Sequence, residues 1–262
     1  MIITRAWCLS RDTGPSAAAD GADCQPLRTY LADLVRPFGF RLREDLLSAG
    51  MSYGEMGGEL LGSALADAEP AELLVLAFAV PDSAPWGSAA SRLSSRCPGA
   101  PLAFAVCDQG TVAGFSGLRL IGSCLGAGQR AVLVVAEQSA VGYELPAATP
   151  APASDAMVAL LCEQAGPGSR VRVRLYADVP PGRVPALLAA ALRELGEATL
   201  VAGNGLAGDG LTVGVGRFVS APEGQPLTEV WWAAAGLLGS GPLLLANYDP
   251  LLRSLALCAI AP

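Results

Sequence analysis

From Glu72 to Val80 the chain runs apolar almost without interruption, Leu73-Leu74-Val75-Leu76-Ala77-Phe78-Ala79-Val80, and shows no polar alternation. A strand of this kind has no face to give to water, so it must lie in a sheet covered by helices on both sides, the situation typical of parallel strands. Two more runs read the same way, Pro101–Cys107 and Arg130–Glu137, and helical patterns separate them. Met56, Leu60, Leu61 and Leu65 share one face of a helix that begins at Ser52 and ends near Asp67, and a second helix is expected at about Thr111–Leu125. Strands alternating with helices predict an α/β fold with right-handed crossovers.

Before these elements come a strand at Ile2–Leu9 and, at Arg11–Gln25, a Gly/Ala/Asp/Ser-rich loop; Ala147–Ser154 reads as a flexible Pro/Ala loop. The remaining chain repeats the grammar. Strands are expected at Val171–Ala177, Ala198–Ala202, Leu211–Phe218, Leu243–Tyr248 and Leu255–Ile260, with helices at Val184–Leu195 and Leu227–Leu238. This divides one compact unit into halves, 1–165 and 166–262, although no residue-level repeat marks a duplication.

With 52% hydrophobic and 16% charged residues, the chain can bury a large core. A net charge of −7 and scattered arginines argue against nucleic acid, leaving a protein partner or an uncharged ligand. The longest apolar runs, Leu73–Val80 and Ala131–Ala136, fall short of the roughly 18 residues of a membrane span. The start Met1-Ile2-Ile3-Thr4-Arg5-Ala6-Trp7 carries no export pattern, so a cytoplasmic protein is expected. Seven cysteines without a C-x-x-C pair suggest reduced core thiols, with no metal site and no cofactor expected.

Between Met51 and Ser139 stand, in order, a helix at Glu59–Ala68, a strand ending in a Pro-Asp step at Phe78-Ala79-Val80-Pro81-Asp82, a strand at Ala103–Val106 that leads into a helix, and a strand at Arg130–Glu137. In order and spacing these segments resemble the N-terminal half of ketosynthase III and other thiolase-like condensing enzymes, with Ala103–Val106 as the strand before the catalytic elbow. Ser154–Leu161 is similar to a further family strand, with Ser, Ala and Met in place of glycines and alanine. The resemblance covers about residues 1–165 and implies a thiolase-like, layered α-β-α-β-α fold with a shortened C-terminal half.

In that family a cysteine at the strand-to-helix elbow is the nucleophile, activated by the helix N-terminus and backbone amides. The elbow here is Cys107-Asp108-Gln109-Gly110-Thr111, and the matching position falls on Gly110 or Thr111. The family's histidine position falls on Gly203, in Leu200–Gly205, and Gln225 stands for its asparagine or second histidine. The chain contains no histidine at all, which excludes the usual condensation chemistry whatever the alignment.

Cys107, Asp108 and Thr111 are the remaining catalytic candidates. Cys107 is expected at the buried end of a strand, as a structural thiol, and Asp108 or Thr111 as a helix cap. Gln109 resembles the Gln near the lost cysteine of chain-length-factor subunits, the inactive partners of ketosynthases. Trp231 and Trp232 are adjacent on one helix and so diverge by about 100°, which puts one ring at an interface or both into neighbouring core layers. Asn247-Tyr248-Asp249-Pro250 reads as a turn beside the site, with Asn247 and Tyr248 narrowing a pocket.

The resemblance implies a degenerate ketosynthase-like protein in polyketide or fatty-acyl biosynthesis. It would be a non-condensing partner or acyl-binding subunit, as a homodimer or a heterodimer with an active ketosynthase, and could meet an acyl carrier protein. Two alternatives stay open. One is a histidine-free acyltransferase or thioesterase using Cys107 or Thr111 with Asp108 as base, and the other is a stand-alone small-molecule binding protein.

Overall fold

A computed structural model describes residues 1–12, 25–47, 49–66, 68–146, 149–164, 171–206 and 217–261. Strands β1 (Ile2–Arg11), β2 (Leu73–Ala77), β3 (Leu102–Val106), β4 (Arg130–Glu137) and β5 (Asp155–Glu163) form one sheet in the order β1-β5-β4-β2-β3. Strands β6 (Val171–Tyr176), β7 (Thr199–Ala202), β8 (Arg217–Ser220), β9 (Leu243–Asp249) and β10 (Ser254–Ile260) form a second, ordered β6-β10-β9-β7-β8. Both sheets are mixed, unlike the parallel sheets that the apolar runs suggest. In each, the two pairings at one end are antiparallel and the two at the other end parallel. Strand order and direction therefore match position for position, so topology carries a duplication that no residue repeat displays.

The helices are α1 (Gln25–Val35), α2 (Tyr53–Ala64), α3 (Ala89–Ser94), α4 (Ala113–Cys124), α5 (Val184–Leu195) and α6 (Glu229–Ala235). α4 and α6 lie between the sheets, α2 and α3 cover the outer face of the first, and α5 covers that of the second. This is the layered α-β-α-β-α arrangement. The period of two along β2 shows how the layers form: Val75 and Ala77 point into the central layer with Phe115, Leu118, Leu245 and Trp231, while Leu74 and Leu76 point outward to Met56, Leu60 and Leu61 of α2. Continuous apolarity is thus double-sided burial, as read. The first turn of α2 is closed by a capping box, with Ser52 accepting from the Glu55 amide at 3.2 Å and the Ser52 amide donating to Glu55 at 2.8 Å.

Several boundaries differ from the sequence reading. β3 is an edge strand: Leu102 is 73% exposed and the strand is only partly covered, because β2 pairs it on one side alone. The 147–154 stretch is irregular where described, and α6 is shorter than Leu227–Leu238. The first strand extends to Arg11, since its ladder with β5 continues to Arg11 and Asp155. Asn247 and Tyr248 belong to β9, because the ladder with β10 continues to the Asp249–Ser254 pair; the turn follows it. α2 ends at Ala64, short of the expected end near Asp67. The loop expected within 13–24 and the strand start at 211–216 lie outside the described residues.

Asp155, fully buried at the start of β5, joins three segments. Its carboxylate accepts from the Met51 amide at 2.7 Å, the Ser139 amide at 2.8 Å and the Ser139 hydroxyl at 3.1 Å. Replacing it by Ala leaves buried donors without an acceptor, and Asp155→Ala should lower the unfolding free energy by about 3 kcal/mol in urea titration.

Candidate functional site

Between β3 and α4 the chain turns through Cys107, Asp108, Gln109 and Gly110, with Asp108 at φ 59° and Gly110 at φ 52°. Cys107 is exposed, not buried, because the edge strand that delivers it is open on one side. Its thiol lies 3.5 Å from the Asp108 carboxylate, and desolvation together with that hydrogen bond and charge pushes its pKa up. This is the opposite of the electropositive setting that makes a thiolate. Cys124 is exposed too, while Cys97, Cys162 and Cys258 are the buried core thiols.

Neither Asp108 nor Thr111 caps the helix start, contrary to expectation. The cap comes from the other half of the chain. Asp249, at the end of β9, accepts the Thr111 amide on Oδ2 at 2.9 Å and the Leu251 and Leu252 amides on Oδ1 at 3.0 and 2.9 Å. A mirror-image contact exists across the molecule. Glu137, at the end of β4, accepts the Leu227 and Thr228 amides at 3.0 and 2.9 Å, and the Thr228 hydroxyl as well, just before α6. Each sheet's strand-end carboxylate holds the central-layer helix of the opposite sheet.

Packing crowds Gly110, one of the two positions that the resemblance matches to the family's nucleophile, and Gly203, which it matches to the histidine. A Cβ on Gly110 would sit 2.0 Å from Asp249 Oδ2 and 2.9 Å from Leu252 Cδ1, on a backbone of positive φ. A Cβ on Gly203 would sit 2.5 Å from Asn247 Oδ1 and 2.7 Å from Glu229 Oε1. Gln225 turns away, donating to the carbonyl of Ser154 at 3.2 Å and to its hydroxyl. Gln109 is exposed, bonding Asp108 and Ser116 at 3.4 and 3.5 Å, and Trp231 packs in the core against Phe115 at 4.7 Å with Trp232 partly buried beside it.

An open cleft of about 510 Å³ remains next to these filled positions. Thr111, Asn247 and Tyr248 line it, together with residues that the sequence did not single out: Asn204, Glu229, Glu223 and the apolar Pro226, Pro250 and Ala151. Of the sequence candidates, Cys107, Asp108, Gln109, Trp231 and Trp232 are not in its lining. Glu229 is 1% exposed and accepts the Asn204 amide at 2.7 Å and the Asn204 side-chain amide. A carboxylate beside two tryptophans near the start of an apolar helix was the available signal for it. Asn247 donates to the Thr111 and Pro226 carbonyls at 3.2 and 3.3 Å, so it fixes the cleft floor, and the Tyr248 hydroxyl is occupied with the Val179 carbonyl at 2.8 Å. The Thr111 hydroxyl is buried without a partner.

Burial pushes the Glu137 carboxyl up to about 7 against the pull of its Thr228 and Leu227 hydrogen bonds. Glu229 is also raised to about 7, by burial first and by the charge of Glu137, with the Asn204 hydrogen bonds opposing. Among the described residues no group of three or more His, Cys, Asp or Glu side chains is arranged to hold a metal ion, and no helix is long and apolar enough to cross a membrane.

No protein-family profile and no curated protein matches the sequence. Solved structures do match over the whole chain. A tetronic acid condensing enzyme superposes with a TM-score of 0.64 at 17% identity, covering 100% of this chain and 99% of its own. A 3-oxoacyl-(acyl-carrier-protein) synthase III gives 0.64 at 16%, covering 100% and 99%. An acyltransferase gives 0.60 at 15%, covering 99% and 97%. The chain has the thiolase-like fold of ketosynthase III and its condensing and acyltransferase neighbours.

The two raised carboxyls set a pH dependence. Each favours its protonated form in the fold, relative to an ordinary value of 4.5, so the stability they permit is present at low pH and is lost as pH rises from about 4.5 to about 7. No histidine titrates in this window. Melting temperature measured by calorimetry should therefore fall between pH 5 and pH 7, and Glu229→Gln should make that fall shallower.

Proposed function

We propose that this thiolase-fold chain is a non-condensing subunit of a polyketide or fatty-acyl assembly system, acting as an acyl-binding partner and not as a ketosynthase. The observation that carries this reading is the Asp249 carboxylate standing where any side chain on Gly110 would have to be. The crowded surroundings of Gly203 and the absence of histidine support it further, since the imidazole with which the family polarises a thioester carbonyl and promotes decarboxylation has no counterpart in this chain. The open cleft beside these positions offers a place to hold an acyl group without reacting with it.

Partnership is supported by the exposed edge of the first sheet. β3 presents Leu102 and one unpaired side of its backbone, the kind of surface that edge-to-edge pairing covers. A second copy or an active ketosynthase of the same fold would meet it there, and an acyl carrier protein would bring the acyl group.

The acyltransferase alternative is weakened by the raised thiol of Cys107 and by the absence of Cys107 from the cleft lining. Thr111 lines the cleft, but its hydroxyl has no hydrogen-bonded base. A stand-alone binding protein is favoured by the size of the cleft, although its buried carboxylate makes the lining more polar than a simple apolar pocket.

Incubation with acyl-CoA or acyl-carrier thioesters, read by intact mass, should give no covalent adduct. A stoichiometric adduct abolished by Cys107→Ala or Thr111→Ala overturns the proposal. Placing a thiol at Gly110, one of the two candidate nucleophile positions, should not rescue chemistry: Gly110→Cys should destabilise the protein by about 2 kcal/mol or more, because a side chain there is strained and clashes, and should remain unacylated.

A further inference from the structure

The cleft has a chemical bias that its acyl-binding reading does not require. Glu229 is 1% exposed yet belongs to the lining, and among the described residues no arginine lies within ion-pair reach of it. Asn204 satisfies one lone pair on each carboxylate oxygen, leaving about half of the acceptor capacity unused. The neighbouring groups add no cation. Glu223 stands in the lining as a second carboxylate, and the buried Thr111 hydroxyl, able to donate or to accept, has no partner. The side-chain amide donors are already committed: Asn204 to Glu229 and the Pro222 carbonyl, and Asn247 to the Thr111 and Pro226 carbonyls.

A buried carboxylate without a counter-charge is costly, and a site rich in acceptors selects a donor. An anionic ligand would face two carboxylates with no arginine in the lining to offset them. A hydroxyl would supply one hydrogen bond and leave the charge standing. An ammonium group supplies three donors and neutralises the charge, so it meets both requirements at once.

We propose that the cleft binds a small ligand through a primary ammonium group received by Glu229, with the ligand's apolar portion lying against Pro226, Pro250 and Ala151. Burial that raises the Glu229 carboxyl is then relieved on binding, because the ligand's positive charge favours the ionised form. The proposal goes beyond a role as an acyl-binding partner and stands whether or not the chain pairs with a ketosynthase.

Titration calorimetry at pH 8 with n-hexylamine, n-hexanol and hexanoate tests it. These three probes share an apolar chain and differ in the head group. Hexylamine should bind about tenfold or more tightly than hexanol, the difference expected for a charge-assisted hydrogen bond, and hexanoate should not bind detectably. Glu229→Gln should bring hexylamine down to the affinity of hexanol; Glu223→Gln, at the same cleft, should lower hexylamine affinity by less than Glu229→Gln does. Hexanol or hexanoate equal to hexylamine, no binding of hexylamine, or a preference retained in Glu229→Gln overturns the proposal. Should Glu229→Gln fail to fold, a crystal structure of the unaltered protein with hexylamine decides: a nitrogen within about 3 Å of the Glu229 carboxylate supports the proposal and a nitrogen elsewhere overturns it.

Discussion

The central helices of this molecule begin where the chain cannot satisfy them locally. The first turn leading into α4 has no side-chain cap of its own, and neither does α6. An exposed helix start would leave its amides to water, but these starts lie between two sheets, where an unpaired amide costs a full desolvation penalty. Asp249 and Glu137 supply the acceptors from the far ends of β9 and β4, each reaching across to the other half. The filling of Gly110 follows from that exchange. Glu137 carries a cost, since burial holds its carboxyl near neutrality while three donors pull the other way.

The same exchange separates this chain from the chemistry its fold suggests. A nucleophile at the elbow needs the helix amides free to stabilise developing charge and needs room for its own side chain. Here the Thr111 amide is already engaged and the space over Gly110 holds a carboxylate. At Gly203 the space a larger side chain needs is taken by Asn247 and Glu229, which face the cleft from their own positions. Side chains that brace the two halves occupy the volume beside Gly110 and Gly203.

Much of the architecture was legible because local pattern and tertiary environment agreed. The unbroken apolarity of β2 and β4 encodes burial on both faces, and Ser52 with Glu55 marks the start of α2. β3 misled for an intelligible reason: its composition is that of a buried strand, but sheet order, which places it at an edge, is set by pairings distant in sequence. The missed α1 did carry a signal, with Leu27, Leu31 and Val35 spaced four apart. The site was legible only in part. Asn247, Tyr248 and Thr111 were named and do line the cleft, whereas Glu229 and Asn204 matter through a contact 25 residues apart in the chain, and the Asp249 cap spans 138. Helix caps are ordinarily read from adjacent residues, so a cap delivered from another sheet leaves no mark in a local window.

The matched topology of the two sheets makes these caps reciprocal. β4 and β9 hold equivalent places, and each ends in an acidic residue that completes the opposite central helix. Neither half holds an acceptor for its own helix start, so each is completed only by the other. One side carries Glu and the other Asp, a difference of one methylene, and one of the two ends is a closed elbow while the other borders an open cleft.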